Sequence, residues 1–461
     1  MGAKRQKNRQ LMLAFAEEGR SEAPTASREG SESPTAERNP ERPASSELLM
    51  EEVCERSNLQ KALRRVQANK GAPGIDGMPV DELADYLRQN WPAIRNQLLN
   101  GTYAPQPVKR VEIPKPEGGV RKLGIPTVLD RFIQQAVLQA LQGRWDQTFS
   151  PSSYGFRPGR SAHQAIAAAQ GYMAEGYRWV VDIDLEKFFD RVNHDILMGR
   201  IARRIQDSRM LRLIRGFLNA GVLENGLVSP TEEGTPQGGP LSPLLSNIVL
   251  DDLDRELESR GLRFARYADD CNIYVRSRRS GERVMRSITR YLITKLKLKV
   301  NEQKSTVGRP WQRKFLGFSF TNGKAPKRRI APKALTRFKE RVRELTRRTK
   351  GISLDQMVEH LSSYLHGWRG YFSYCETPSV LRDLDSWLHR RLRAVVWKQW
   401  RRGRTRFAEL RKRNVGRDLA AQTAGSCHGP WRISKSPALH FALPTAYFVS
   451  LGVPTLAPQT A

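Results

Sequence analysis

At 461 residues, 39% hydrophobic and 27% charged, the chain is longer than one hydrophobic core normally serves, so two or three soluble globular domains with extended polar parts are expected. Its 78 Lys and Arg against 47 Asp and Glu leave a net charge of +31; such an imbalance repels itself unless a polyanion neutralises it, and nucleic acid is the commonest polyanion in a cell. No run of 18 apolar residues is present, which argues against a membrane partner, and Cys54, Cys271, Cys375 and Cys427 lie too far apart for a disulfide framework or a CxxC zinc site.

The chain opens on a short basic tract, Met1 to Gln10, that either touches phosphate or is a solvated tail. LMLAFA (11–16) hints at a signal peptide, but the apolar run stops at Glu17 and Glu18, so export is not expected and the setting is a reducing cytoplasm. Residues from Glu18 to Glu47 are rich in Ser, Pro, Glu, Thr and Ala and cannot bury enough surface to order themselves, which makes residues 1–50 a flexible arm. From Glu47 to Leu99 the pattern is helical, broken by the loop GAPGIDG (71–77). VEIPKPEGGVRKLGIPT (111–127) reads as a β-hairpin turning at Pro116 to Gly119, with Lys115 and Arg121 on its arms. Those two charges either grip a triphosphate or stay solvated.

A helix is expected over Asp130 to Leu141, with Phe132, Ile133, Ala136, Val137 and Ala140 on its apolar face. SSYGFRPGRSAHQAI (152–166) joins a Gly/Pro/Arg loop to a helix starting at Ser161, and Tyr154, Phe156, Arg157 and Arg160 suit contacts to a polynucleotide. In WVVDIDLEKFFD (179–190) a strand from Val180 to Asp184 places Asp182 and Asp184 on one face, followed by an aromatic wall of Phe188 and Phe189. Asp184, nearer the strand end, is the expected metal ligand, and a share for Asp182 stays open. TPQGGPLSPLLSNIVLDDLDREL (235–257) is a loop feeding a helix, with Ser242 as N-cap and Pro243 at the first helical position. Pro236 to Gly239 puts bare backbone and the Gln237 amide where a duplex or nucleotide can lie close, or is a plain helix entry.

FARYADDCNIYV (264–275) is expected to form a hairpin with Asp269 and Asp270 at its tip. Asp in a turn is ordinary chemistry, but two adjacent carboxylates kept ionised call for cations, and Mg²⁺ is the natural supply. A helix over Val284 to Leu298, a loop offering Lys304 to the same site and a buried alternating strand FLGFSF (315–320) follow. Beyond Gly323 the chain turns basic: twelve Lys and Arg fall between Lys324 and Lys350, while Leu335, Phe338, Val342 and Leu345 keep helical spacing. Further helices are expected over Asp355 to Tyr371 and Val380 to Trp400, and Trp397 and Trp400 are interleaved with arginines from Arg390 to Arg413. Repeated basic helices suggest a surface that tracks a phosphate backbone, with Arg328, Arg329, Lys333, Arg337, Arg341, Arg401 and Arg402 as its contacts. WRISKSPALHFALPTAYF (431–448) is a small compact unit after a Gly/Ser/Cys loop.

Eighty-five residues separate Asp184 from Asp269, so these groups converge only through the fold. If they do, Asp184, Asp269 and Asp270 would hold two Mg²⁺ ions in a nucleotidyl transfer. Lys115 and Arg121 would hold the incoming triphosphate, and Phe189 would close the space where a 2′-hydroxyl projects.

The ordered series IPKPEGGVRKLGIP, SSYGFRPGRS, VDIDLEKFFDRVNHD, GTPQGGPLSPLLSNIVLDDLD, RYADD and FLGFSF resembles the reverse transcriptases and maturases encoded by bacterial group II introns, over roughly Asn69 to Phe320. The resemblance implies an α+β right-hand polymerase: the start of the fingers within 51–110, a fingers and palm core at 111–322, thumb or maturase helices at 323–403 and a small DNA-binding region at 404–461. It implies Asp184, Asp269 and Asp270 as metal ligands, Lys115 and Arg121 as triphosphate contacts, Phe189 as the sugar gate, Gln237 as part of the nucleotide wall and, less directly, Lys304. Its partners would be intron RNA, an RNA template with a DNA primer or target, and dNTPs, in a bacterial cytoplasm near the nucleoid. Many such proteins end in an endonuclease with paired cysteines; their absence here leans the resemblance toward the endonuclease-lacking branch. A splicing cofactor with an idle polymerase, or a retron, diversity-generating or phage-defence relative, are the competing readings.

Overall fold

The protein is described by a computed structural model over residues 48–114, 119–224, 227–230, 233–235, 238–349 and 351–458. The chain divides into two compact units, Met1–Ala165 with Val181–Val307 and Ile166–Val180 with Gly308–Ala461.

The first unit begins with α1 (Leu49–Val53), α2 (Arg56–Asn69) and α3 (Leu83–Leu99), whose buried faces carry Leu59, Leu63 and Val66 and then Leu87, Trp91 and Ile94 at helical spacing. The hairpin β1 (Val108–Pro114) and β2 (Val120–Ile125) forms as expected, pairing Lys109 with Ile125 through to Pro114 with Val120. Helix α4 (Val128–Asp146) is longer than its apolar spacing suggests, because Thr127 caps it by accepting from the Asp130 amide. Ser161 does open the next helix, α5 (Ala162–Ala174), accepting from the Gln164 amide.

After β3 (Trp179–Ile183) come α6 (His194–Ala202), α7 (Ser208–Asn219), β4 (Val222–Glu224) and β5 (Leu227–Ser229). One sheet has the order β2-β1-β4-β5. Helix α8 (Ser242–Ser259) is preceded by Leu241 in helical backbone, φ −79° and ψ −29°, so Ser242 is its first residue and not its cap. The hairpin β6 (Arg263–Tyr267) and β7 (Asp270–Val275) pairs Tyr267 with Asp270, so the turn is Ala268 and Asp269, and Asp270 already belongs to a strand. Helix α9 (Arg278–Lys295) starts six residues before the expected Val284, where Ser277 caps a first turn without large apolar residues. With β8 (Thr306–Gly308) the second sheet has the order β6-β7-β3-β8.

In the second unit β9 (Phe318–Phe320) pairs antiparallel with β10 (Arg328–Ile330). FLGFSF is not one alternating strand: Leu316 at φ 50° and Gly317 at φ 81° make a turn that folds Phe315 back on Phe318. The helices are α10 (Pro332–Leu345), α11 (Leu354–Phe372), α12 (Pro378–Gln399), α13 (Gly403–Lys412), α14 (Arg417–Ala424), α15 (Pro430–Ile433), α16 (Pro437–Ala442) and α17 (Thr445–Ser450). A single buried cluster joins Phe338, Leu361, Leu388, Trp397, Leu410, Leu439 and Phe448, so the core runs straight across the boundary expected near residue 404. No helix among the described residues is long and apolar enough to cross a membrane.

Candidate active site

The sheet order sets the centre of the site, because β7, which opens with Asp270, lies beside β3, which ends one residue before Asp184. The tight β6–β7 connection fixes Asp269 through its neighbour: Ala268 takes φ 58°, a left-handed conformation that costs a residue with a Cβ about 1–2 kcal/mol. Asp184 is held by its backbone, its amide donating to Ser305 Oγ at 3.0 Å and its carbonyl accepting from the Asn301 amide at 2.8 Å. The same 301–305 loop brings Lys304 Nζ to 4.0 Å from Asp184 Oδ2. Both side chains are well exposed, so the pair is worth at most about 1 kcal/mol, and the ammonium can exchange it for a stronger anion.

Asp182 shares this neighbourhood. Burial pushes the Cys271 thiol up, and the nearby Asp270 and Asp182 charges push it in the same direction. The donors present are therefore carboxylate oxygens, with the sulfur kept as a buried neutral thiol, a set whose chemistry fits Mg²⁺. Among the described residues no three His, Cys, Asp or Glu side chains are gathered closely enough to hold a metal ion as they stand. The sheet order puts the strand that leads to Asp184 beside the one that opens with Asp270. Two carboxylates ~4.5 Å apart repel by roughly 3–4 kcal/mol at an effective dielectric near 20, which favours splayed side chains.

In the same unit a cleft of about 580 Å³ is lined by Phe189, Phe156, Leu123, Arg131, Gln135 and Gly238, among others. Its wall depends on two glycines. A Cβ on Gly238 would lie 2.6 Å from the Gly124 backbone carbonyl, so a side chain there would push the loop away from β2, and one on Gly239 would lie 2.3 Å from Gln134 Oε1 and displace that amide. Phe188 is buried, while Phe189 faces the cleft and packs edge-on against it at 5.2 Å. The Phe189 carbonyl accepts from the Thr235 amide at 2.6 Å, and His194 Nε2 donates to the Gly234 carbonyl at 2.6 Å. Segments 188–194 and 234–235 are therefore one braced assembly.

Lys115 and Gln237 lie outside the described residues; Arg121 sits in β2 opposite Ile113, and its side chain is outside them as well. Arg131 and Gln135 line the cleft yet escaped the sequence reading. The available signal was polar residues, Gln134 and Gln135 among them, set within the apolar run of α4.

Two expected nucleic-acid contacts are corrected. Arg157 is an interior residue: its guanidinium donates to Asp146 Oδ1 at 2.8 Å and to the carbonyls of Ser150, Ser153 and Asp146. Arg328 is committed within the second unit, donating to Gln170 Oε1, Tyr374 Oη and the Tyr374 carbonyl, pairing with Glu376 at 3.1 Å and lying 3.8 Å from the centre of the Tyr374 ring. Both positions need a cation inside the fold. Arg160 is exposed, its guanidinium 5.7 Å from the Tyr154 ring.

In the second unit Lys333, Arg337 and Arg341 are exposed on α10, Arg341 pairing with Glu344 at 2.6 Å, and Arg329 is half-buried beside Ser319. Arg401 and Arg402 are exposed between α12 and α13, and Arg401 lines a cavity of about 420 Å³ with Arg347, Arg348, Lys398 and Arg406. Trp397 and Trp400 do not present their rings to a partner. Both are buried, with Arg406 over the first at 4.6 Å and Arg413 over the second at 5.0 Å.

Residues 113–320 match the reverse transcriptase (RNA-dependent DNA polymerase) family, and residues 335–414 match the maturase-specific domain of group II introns. Protein YkfC of Escherichia coli K12 is 42% identical over 210 residues, 44% of this chain and 55% of that protein. Group II intron-encoded protein LtrA of Lactococcus lactis subsp. cremoris is 40% identical over 206 residues, 44% of this chain and 34% of that protein. The matched part therefore spans about half or a third of the length of these relatives. Among solved structures, a chain of a partial Cas6-RT-Cas1–Cas2 complex is 25% identical over 53% of this chain and 42% of its own, at a TM-score of 0.35.

Proposed function

The chain belongs to the group II intron reverse transcriptases and maturases, and from that premise we propose that it copies RNA into DNA and holds its intron RNA during splicing. What supports the polymerase reading is the pair of neighbouring strands β3 and β7, which bring Asp184 and the Asp269–Asp270 turn to one sheet inside the matched span. What supports the maturase reading is a second matched span, 335–414, that takes in most of α10 with its exposed Arg337 and Arg341 over a buried apolar face, Lys333 lying just before it.

When bound, Mg²⁺ would assist deprotonation of an attacking 3′-hydroxyl and stabilise the leaving pyrophosphate; Asp184, Asp269 and Asp270 are the residues that would hold it. The chain's own groups do the rest. Phe189, its carbonyl bonded by the Thr235 amide, presents a ring to the cleft and would exclude a 2′-hydroxyl by its bulk. Gly238 and Gly239 let the loop lie against β2 and α4, which leaves a flat backbone wall for a base. Lys304 and the hairpin residues Lys115 and Arg121 supply positive charge for the triphosphate. Gln237 keeps the nucleotide-contact role that the family resemblance implies.

The test is primer extension on an RNA template with Mg²⁺ and dNTPs, run for the native chain and for Asp269→Ala. DNA synthesis that the substitution removes, with intron RNA binding retained, supports the assignment. Synthesis by neither protein, with splicing assistance intact, would leave an RNA-binding cofactor.

A further inference from the structure

Two residues before the Ala268–Asp269 turn lies a guanidinium with no exposure at all. The side chains of Arg266, on β6, and Asp254, on α8, are both fully buried. Arg266 Nε donates to Asp254 Oδ1 at 2.7 Å and Nη2 to Asp254 Oδ2 at 2.5 Å, a two-pronged fork. The remaining donors are used too. Nη2 donates to Ser153 Oγ at 2.7 Å, and Nη1 to Asn247 Oδ1 at 3.0 Å and to the Ala268 carbonyl at 2.9 Å. Five N–H groups meet five acceptors, the full capacity of an arginine.

That last bond reaches the strained residue itself. Ala268 stands at φ 58°, and the peptide unit bearing its carbonyl leads directly into Asp269. The opposite side of the turn is closed as well: a Cβ on Gly155 would lie 2.2 Å from the Ala268 amide nitrogen, and the Gly155 carbonyl accepts from Asn247 Nδ2 at 2.9 Å. The backbone of β6 is tied to the same loop, the Arg266 amide donating to the Ser152 carbonyl at 3.0 Å and the Tyr154 amide to the Arg266 carbonyl at 2.9 Å. Strained backbone persists only where its surroundings over-determine it. Here three separate stretches of sequence, around Ser153, around Asn247 and Asp254, and the hairpin, meet at one side chain to do so.

We propose that Arg266, braced by Asp254, Asn247 and Ser153, is a positioning residue that fixes the peptide entering Asp269 and thereby aims the Asp269 and Asp270 carboxylates. This rests on reading those aspartates as the reacting pair. Arg266 touches no substrate; it acts through the Ala268 carbonyl. A salt bridge of purely structural value would affect stability and leave turnover alone, and that difference is measurable.

The double replacement Arg266→Met with Asp254→Leu removes both buried charges together and leaves neither ion without its partner, a change that buried pairs often tolerate. Asn247→Ala is the milder probe, since the ion pair stays while one brace on Nη1 and the bond to the Gly155 carbonyl are lost. Each is measured for melting temperature, intron RNA affinity, and kcat and KM for dNTP in primer extension. The folded double variant is expected to bind RNA within about twofold of the native chain with a near-native KM, while kcat falls on the order of tenfold to a hundredfold, the scale of a sub-ångström misplacement. Asn247→Ala is expected to lower kcat about fivefold with the same split. A folded double variant with native kcat overturns the proposal, and so does native kcat in Asn247→Ala should the double variant not fold. Asp269→Ala run alongside keeps the two readings apart. If it polymerises normally, the catalytic assignment of the turn falls; if it is inactive while folded Arg266 or Asn247 variants turn over normally, the positioning role alone falls.

Discussion

Arg266 and Arg157, in the unit that carries the carboxylates, and Arg401 and Arg402, in the unit built from basic helices, bring the same charge into opposite surroundings. The first two are buried, and their guanidinium donors go to an aspartate, an amide, a hydroxyl or a carbonyl of the chain. The last two stand in solvent between helices, with a basic cavity alongside Arg401. A net charge of +31 therefore overstates what is offered to a polyanion. The interior arginines spend their charge on groups of the chain, and the exposed ones keep theirs toward solvent.

The largest effect that separates the two regions is expected from Asp269→Ala. DNA synthesis should fall on the order of 10³-fold or more, while intron RNA affinity, which the proposed function assigns to exposed cations of the other unit, should stay within about twofold. Primer extension and a filter-binding titration on one preparation check it; joint loss of both would make the aspartate a structural residue.

Next comes Arg157→Ala. If this arginine belongs to the interior set, removing it strands the Ser150 and Ser153 carbonyls and one face of Asp146, at a cost of about 3 kcal/mol. Chemical denaturation should register the loss. An unchanged unfolding midpoint with weaker RNA binding would move Arg157 back to the nucleic-acid surface.

Arg157 also shows where sequence reading runs out. It and Arg160 sit three residues apart in one Gly/Pro loop, and nothing in their local pattern separates a buried fork from an exposed contact; the deciding partner, Asp146, is on another element. Trp397 and Trp400 posed the same difficulty, since tryptophans among arginines fit either a stacking surface or a core roofed by cations. The β1–β2 and β6–β7 hairpins were legible because period-two patterning and short turns are local properties. Even so, the second turn proved one residue tighter than expected, with Asp270 drawn into β7. FLGFSF misled for a related reason: a left-handed Leu316 cannot be read from composition. The cluster around Arg266 was invisible, because its members lie up to 113 residues apart and each looks ordinary alone.

A smaller effect is expected from Phe189→Ala. Its ring lines the cleft while Phe188 stays in the core, so the change should leave the fold intact and open space beside the sugar. Ribonucleotide incorporation relative to deoxyribonucleotide should rise roughly ten- to a hundredfold, the range a hydrophobic steric element usually commands. Unchanged discrimination in a single-nucleotide incorporation assay would take the gate role away from this residue.

The finest distinction comes from replacing Arg401 and Arg402 together with alanine. Both are exposed, so stability should move by no more than about 0.5 kcal/mol. Affinity should respond through salt. If the native chain neutralises about six phosphates, its intron RNA binding falls on the order of 10³-fold between 50 and 200 mM salt; with two contacts fewer the slope drops by nearly two, and the same interval costs only about 10²-fold. The flattened slope is the quantity to measure, because a lower affinity at one salt concentration arises equally well from a distorted fold. A native slope in the double variant would mean that this corner of the second unit meets no phosphate, and would shift the cationic contacts toward Lys333, Arg337 and Arg341 on α10.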